Sequence, residues 1–185
     1  MNIYDFDGTI HRGDSSIAFY KYCLFHRPQI IFLLPIQIIG ILLFFLKLID
    51  LTSLKTFLYS YFRVIDAEMM AKRFWEQDIP QNIYPWFSEY HQDDDVLISA
   101  SPEFFLKPAC ARLGIKTLIA SKVDPKTGKT TGKNCTGIEK KIRFQQLFPD
   151  TVPERSFYDK PKDLYVSKLA KHRYLIINGI PVEQP

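Results

Sequence analysis

Over the second half of the chain, short apolar runs alternate with segments whose apolar residues recur at helical spacing. "DDDVLISAS" predicts a strand with a polar approach, and "PEFFLKPACARLG" a helix stopped by Gly114. "IKTLIASKV" predicts the next strand, "GIEKKIRFQQLF" a helix, "ERSFYD" a strand, "PKDLYVSKLAKH" a helix and "RYLIING" a final strand. Among them "DPKTGKTTGKN" predicts a lysine-rich hairpin in solvent. At the other end, "NIYDF" predicts a short buried strand closed by the Gly8-Thr9 turn. Strands alternating with helices imply an α/β fold, a doubly wound parallel sheet with helices on both faces. The first strand belongs to the same sheet. Residues 1–11 and 91–185 therefore form the core, and residues 12–90 a small helical cap inserted after strand one.

Within the cap, an N-cap at Asp14 or Ser15 opens a helix through "SIAFYKYCLFHR", which Pro28 breaks. "IIFLLPIQIIGILLFFL" follows, Ile30 to Leu46, seventeen residues of which only Gln37 has a polar side chain, interrupted at Pro35 and Gly40. From Leu51 to about Glu89 helical spacing returns, with breaks at Pro80 and Pro85.

Composition changes this picture little. With 46% hydrophobic and 24% charged residues the chain is globular, not disordered. A formal net charge of +4 suits an anionic ligand or an anionic membrane surface, and no nucleic-acid partner is expected. Cys23, Cys110 and Cys135 are odd in number and fit no zinc spacing, so reduced thiols in a cytosolic setting are expected, Cys110 in a helix core. No cleavable leader is expected, because Met1 runs directly into the first strand. "GKTTGK" is not a phosphate loop, since Val123 and Thr127 stand where the earlier glycine is required.

The chemistry-bearing residues collect at predicted strand ends. "DFDGT" places Asp5 and Asp7 two apart, on the same side of an extended chain. Two carboxylates so close need a proton or a cation between them, and ligands that are all oxygen favour Mg²⁺. In an open parallel sheet, ligands bind beyond the carboxyl ends of the strands. Ser99 ends "VLISAS", Asp159 ends "SFYD" with Asp163 one helical turn on, and Lys140 stands near the start of the "GIEKK" helix. Such a rim suits phosphoryl transfer. Asp5 attacks phosphorus, and Asp7 protonates the leaving alkoxide and then deprotonates the hydrolytic water. Ser99 and nearby backbone N–H groups, that of Ala100 among them, bind phosphate oxygens with Lys140. Asp5, Asp7 and Asp159 hold Mg²⁺, and Asp163 supports them or caps the following helix.

These motifs resemble the haloacid dehalogenase superfamily of aspartate-nucleophile phosphatases. "DFDGT", Ser99 in "LISAS", Lys140 in "GIEKK" and "DKPKD" occur in order over almost the whole chain, and a helical insertion between the first two is similar to the phosphoserine-phosphatase-like branch. The Gly-x-x-Lys spacing from Gly137 implies Lys140 over the adjacent Lys141. The fourth motif departs from the commoner Asp-Ser-x-x-Asp: Lys160 puts positive charge beside the metal, weakening it or touching substrate phosphate.

The apolar run decides where such an enzyme works. A bilayer core takes about twenty helical residues to cross. A single crossing would part Asp5 from Ser99, Lys140 and Asp159, and two crossings need more apolar chain than is present. Lys21, His26 and Arg27 before the run, and Lys47 and Lys55 after it, keep both ends cytoplasmic. The run, residues 28–49 with its flanks, is thus either a cap helix buried in protein or a monotopic or re-entrant membrane-contacting segment, to which Phe19, Tyr20, Phe57, Tyr59, Tyr61 and Phe62 add apolar surface. The basic-flanked run directly after the nucleophile motif resembles bacterial C-type phosphatidylglycerophosphate phosphatases. That resemblance implies dephosphorylation of phosphatidylglycerophosphate to phosphatidylglycerol at the inner face of the cytoplasmic membrane. A soluble cytoplasmic phosphatase for a small metabolite such as phosphoserine is the alternative reading, and a non-catalytic membrane-binding module a third. Arg12, Arg63 and Lys55 are the cationic candidates for a headgroup.

Overall fold

A computed structural model describes all 185 residues. In chain order the elements are β1 (Asn2–Tyr4), α1 (Ser15–His26), α2 (Leu34–Phe45), α3 (Leu51–Leu58), α4 (Ala67–Asn82), α5 (Phe87–Tyr90), β2 (Val96–Pro102), α6 (Glu103–Leu113), β3 (Thr117–Ser121), α7 (Ile138–Leu147), β4 (Arg155–Tyr158), α8 (Leu164–Ser167), β5 (His172–Ile177) and β6 (Ile180–Gln184). Turns of 3-10 helix at Pro28–Leu33, Tyr59–Val64 and Pro161–Asp163 lead into or out of the helices.

The six strands form one sheet in the order β3-β2-β1-β4-β5-β6, parallel except for β6. β1 is central, and alternate residues face opposite ways. Ile3 joins Val96, Ile98, Ile119, Phe144 and Val166 on one face. Tyr4 joins Leu97, Phe157 and Trp75 on the other. Both faces are covered, which is why these strands read as near-continuous apolar runs. β2 lies on one side of β1 and β4 on the other. Their connections leave in opposite directions, opening a crevice at the carboxyl end of β1.

Local signals set several boundaries. The Asp14 side chain accepts from Ile17 N and caps α1, and Gly114, in left-handed backbone with φ 75°, closes α6. Three expectations are corrected. Pro80 does not break its helix but lies inside the last turn of α4, where its missing N–H forgoes only one bond. The stretch expected as a helix after Asp159 is a 3-10 turn followed by four residues of α8. β5 is not the last strand: Asn178 and Gly179, with φ of 52° and 80°, form the tight turn of a hairpin that adds β6. The lysine-rich loop also differs from a freely solvated hairpin. Lys122, Lys126 and Lys129 are exposed, but its backbone docks on the insertion, with Thr130 N donating to Thr56 Oγ1 (3.2 Å) and Arg63 Nε to the Thr127 carbonyl (3.3 Å).

All five helices between β1 and β2 belong to the insertion, and its buried side chains merge with the core. Phe19, Phe62, Phe74, Trp75 and Phe105 belong to one cluster of 25 buried residues. Phe19, Tyr59, Tyr61 and Phe62, expected as added outer surface, are therefore interior. Trp75 is fully buried and donates its indole N–H to the Phe105 carbonyl (2.6 Å). The thiols of Cys23, Cys110 and Cys135 are all buried and unpaired, and burial pushes them up to about 12, 12 and 11.

α2 is turned inside out. Its buried positions are Gln37 and Gly40, whereas Ile38, Ile39, Ile41, Leu42 and Phe45 are exposed. Gln37 accepts from Tyr20 Oη (3.0 Å) and donates to the Leu58 carbonyl (3.1 Å), satisfying a buried amide. Gly40 lies against the Phe57 side chain where any Cβ would overlap it, so α2 and α3 pack closely. The exposed apolar surface continues through Phe25, Phe32, Leu46 and Leu48, and Phe25 is 84% and Phe32 80% exposed. Such an outer face is the reverse of an ordinary surface helix.

Truncating Trp75→Ala removes the largest side chain joining α4 to α6. We expect a loss of about 3–5 kcal/mol of stability, measured by urea denaturation, and a value below about 1 kcal/mol would show that this contact does not hold the insertion.

Candidate active site

The site assembles at the carboxyl end of β1. Asp5 continues the strand, its N–H donating to the Phe157 carbonyl (3.0 Å), so its carboxylate stands at the crevice mouth. Gly8 follows with φ 81° in the turn, and a Cβ there would strike the Asp159 carboxylate. Gly8 is thus required by its backbone conformation and by the close approach of a functional acid. Asp159 leaves the end of β4, and Asp163 sits in the 3-10 turn behind it.

Lys140 comes from the first turn of α7 and is 2% exposed. Its ammonium lies 2.6 Å from Asp5 Oδ1 and 2.7 Å from Asp163 Oδ1. Burial alone would pull the lysine down, but Asp5 and Asp163 outweigh it and hold the ammonium above its ordinary value. Lys141, the neighbour weighed against it, points to partial solvent.

Asp7 lies to one side of this cluster. Its Oδ1 accepts from Ser15 N (2.7 Å) at the start of α1, and its Oδ2 from Ser101 Oγ (2.7 Å). Burial raises its carboxyl above the usual range, against the opposing pull of those two donors. The oxygens that approach one another closely, within 4.8 Å, are those of Asp5, Asp159 and Asp163. Asp163 rather than the Asp7 side chain therefore completes the cluster. Three carboxylates in oxygen-only surroundings fit Mg²⁺, and Asp159 Oδ1 is a buried acceptor with no hydrogen-bond donor. Burial, then the charge on Asp5, raises Asp159 to about 6, with Lys160 opposing. Burial raises Asp163 as well, followed by Asp5, with Lys140 opposing. Lys160 pairs with Asp159 Oδ2 at 3.1 Å and is half-exposed over the cavity.

A cavity of about 500 Å³ opens from these acids toward the insertion. Its floor includes Asp5, Asp7, Ser99, Ala100 and Lys140, and its upper wall Ile17, Tyr20, Leu51, Leu58 and Tyr61. Ser99 is buried, and its Oγ accepts from Ser101 N (3.1 Å). Ala100 presents its carbonyl to Lys55 Nζ (2.7 Å). β2 loses its regular pairing with β3 between Ile98 and Pro102, which re-aims this stretch at the site. Of the three cationic candidates only Lys55 lines the cavity, since Arg12 stacks on Tyr84 and Arg63 binds the lysine-rich loop. Ser101 and Asn134 also line it and were not singled out from sequence. Ser101 carried a signal, being two residues beyond Ser99 in a strand, whereas Asn134 stands in an irregular loop and carried none.

The family model for haloacid dehalogenase-like hydrolases matches residues 3–167. The chain belongs to that family, and the sheet order and crevice described above are its structural counterpart. Among solved structures, a protein of unknown function from Bordetella pertussis Tohama I superposes with a TM-score of 0.72 at 13% identity, covering 95% of this chain and 88% of that one. A phosphoserine phosphohydrolase-like protein from Francisella tularensis superposes with a TM-score of 0.62 at 18% identity, covering 97% and 88%. A probable phosphoserine phosphatase from Vibrio cholerae gives a TM-score of 0.64 at 12% identity, covering 93% of this chain but 55% of that one. No curated protein matches the sequence.

Because a proton on Asp159 competes with a cation there, Mg²⁺ affinity should be constant well above pH 6 and fall below it, by about tenfold per pH unit. Calorimetric titration with MgCl₂ between pH 5 and 8 reads this directly. An affinity that does not change over that range would remove Asp159 from the ligand set.

Proposed function

We propose that the chain is a Mg²⁺-dependent phosphomonoesterase working through an aspartyl phosphate on Asp5. The observation that carries this reading is the placement of Asp5 at the crevice, ion-paired to the buried Lys140, with the protonatable Asp7 beside it. Asp5 Oδ attacks phosphorus as the ester P–O bond breaks, and Asp7 gives its proton to the departing alkoxide. Water then attacks the phosphorus of the acyl phosphate while Asp7 takes a proton back, releasing inorganic phosphate and restoring Asp5. Bound Mg²⁺ would supply positive charge that offsets the repulsion between carboxylate and phosphate. Asp5, Asp159 and Asp163 are the side chains placed to hold it. Ser99 and Lys140 line the cavity beside Asp5, which supports a role for them in binding the phosphoryl oxygens. The completeness of this set supports an enzyme over a non-catalytic membrane module.

Asp5→Asn should lower phosphate release by about a thousandfold or more while leaving the melting curve in place. Retention of turnover in that variant would rule out Asp5 as the nucleophile.

For the substrate we favour a phospholipid phosphate monoester, with phosphatidylglycerophosphate as the member the sequence resemblance implies. Support comes from the outward apolar face of α2 and from the apolar upper wall of the cavity beneath it. The stretch Pro28–Phe45 is strongly apolar yet only 17% of it is buried, which suits contact with a membrane surface rather than a crossing that would part the site. Exposed Lys21, His26 and Arg27 border the apolar face and suit an anionic lipid surface at the cytoplasmic side. In this arrangement the insertion dips into the interface and the headgroup reaches Asp5 without the lipid leaving the bilayer. A soluble phosphatase of small metabolites is the second reading, favoured by the phosphoserine phosphatase names of two solved neighbours. Phosphate release from phosphatidylglycerophosphate in micelles, against phosphoserine and an aryl phosphate, separates the two. Preference for the lipid, with co-sedimentation on anionic liposomes that Phe32→Asp plus Phe45→Asp abolishes, is the expected result. Preference for phosphoserine with no sedimentation would establish the soluble enzyme.

A further inference from the structure

The cavity wall carries more ammonium groups than the transferring phosphoryl group needs. Lys140 is matched by Asp5 and Asp163, and Lys160 by Asp159. Lys55 and Lys162 also line the cavity, and neither pairs with a carboxylate. Lys55 reaches down from α3 and donates to the Ala100 carbonyl (2.7 Å) and to Asn134 Oδ1 (2.8 Å), leaving one N–H of its three. Asn134 is 6% exposed, and its Oδ1 also accepts from Ser121 Oγ (2.8 Å). Two donors thus fix the orientation of the amide, and its Nδ2 is a buried donor with no acceptor. An unpaired ammonium and an unpartnered amide donor, held by one hydrogen-bond network, lack an anion.

We propose that Lys55, Lys162 and Asn134 form a second anion subsite, which takes a further anionic group on the alcohol part of the substrate. The substrate class is then a phosphomonoester bearing a second anionic oxygen group, either a phosphate or a carboxylate. The assignment rests on the phosphomonoesterase reading for the first group, the ester at Asp5. It does not rest on membrane contact, because the subsite lies inside the cavity. Lys55 is also placed to tie α3 to the core, and a tie alone would affect every ligand alike.

Calorimetric binding to Asp5→Asn protein with Mg²⁺ tests the subsite without turnover. The probes are glycerol 3-phosphate, with one anionic group, phosphoserine, with an added carboxylate, and glycerophosphoglycerol phosphate, with an added phosphodiester. At least one two-anion ligand should bind about tenfold or more tightly than glycerol 3-phosphate, and which one does so identifies the second group. Lys55→Gln should reduce that advantage to below about threefold, and Lys55→Arg should restore part of it. Lys162→Gln, on an exposed turn where folding is not at stake, should reduce it too. Equal affinity for all three probes, or equal losses for all three in both Gln variants, would overturn the proposal. Phosphate release from each of the three probes by the wild-type protein is read in parallel. A binding preference with no release would end the phosphatase reading and leave the subsite standing.

Discussion

The buried ammonium of Lys140, held between Asp5 and Asp163, sets the charge balance on which the crevice depends. Three carboxylates (those of Asp5, Asp159 and Asp163) meet where β1 and β4 end, with that of Asp7 to one side at the start of α1. Without a cation their repulsion would keep these elements apart or force protons onto the acids. A lysine in so dry a place is itself costly unless fully paired. Each charge therefore makes the other tolerable, and α7 is tied to β1 across 135 residues of sequence. The remaining imbalance shows in Asp159 and Asp7, both raised by burial, the one suited to exchanging its proton for a cation and the other to carrying one.

The insertion solves a different problem. Its inner surface is aromatic and joins the core where Phe19, Phe74 and Trp75 pack on Phe105 of α6, so it cannot be a loosely hung lid. Its outer surface is where α2 departs from the usual rule. The single polar residue of its apolar run is drawn inward, where Tyr20 and the Leu58 carbonyl satisfy it, and the apolar side chains are left outside. The same helix contributes Gln37 to the cavity lining. Whatever covers the apolar face is therefore mechanically close to the site, separated from it by the thickness of one helix.

Much was legible in the sequence because it depends on local rules. The "DFDGT" turn needs Gly8 for its left-handed backbone, Asp14 caps α1 through its own side chain, and Gly114 ends α6. The two-residue spacing that puts Asp5 and Asp7 on one side also relates Ser99 to Ser101, so Ser101 was within reach of the same reasoning. The turn at Asn178-Gly179 announced β6 equally plainly. Other features had no local signature. Pro80 ought to have ended α4, but so near the helix end the loss of one hydrogen bond is small against the packing of Phe74 and Trp75.

Periodicity and motifs within a few residues were enough to read the alternation of strands and helices, the position of the inserted helices, and the strand-end placement of Asp5 and Asp159. The other features depend on contacts between distant parts of the chain. Tertiary packing separated Asp7 from the cluster of Asp5, Asp159 and Asp163, since which carboxylate finds a donor depends on how α1 and β2 meet. It brought Lys55 and Asn134 to the same network, 79 residues apart. It turned the apolar side of α2 outward, because a helix apolar nearly all round has no orientation of its own until Gln37 and Gly40 find their partners in the rest of the fold.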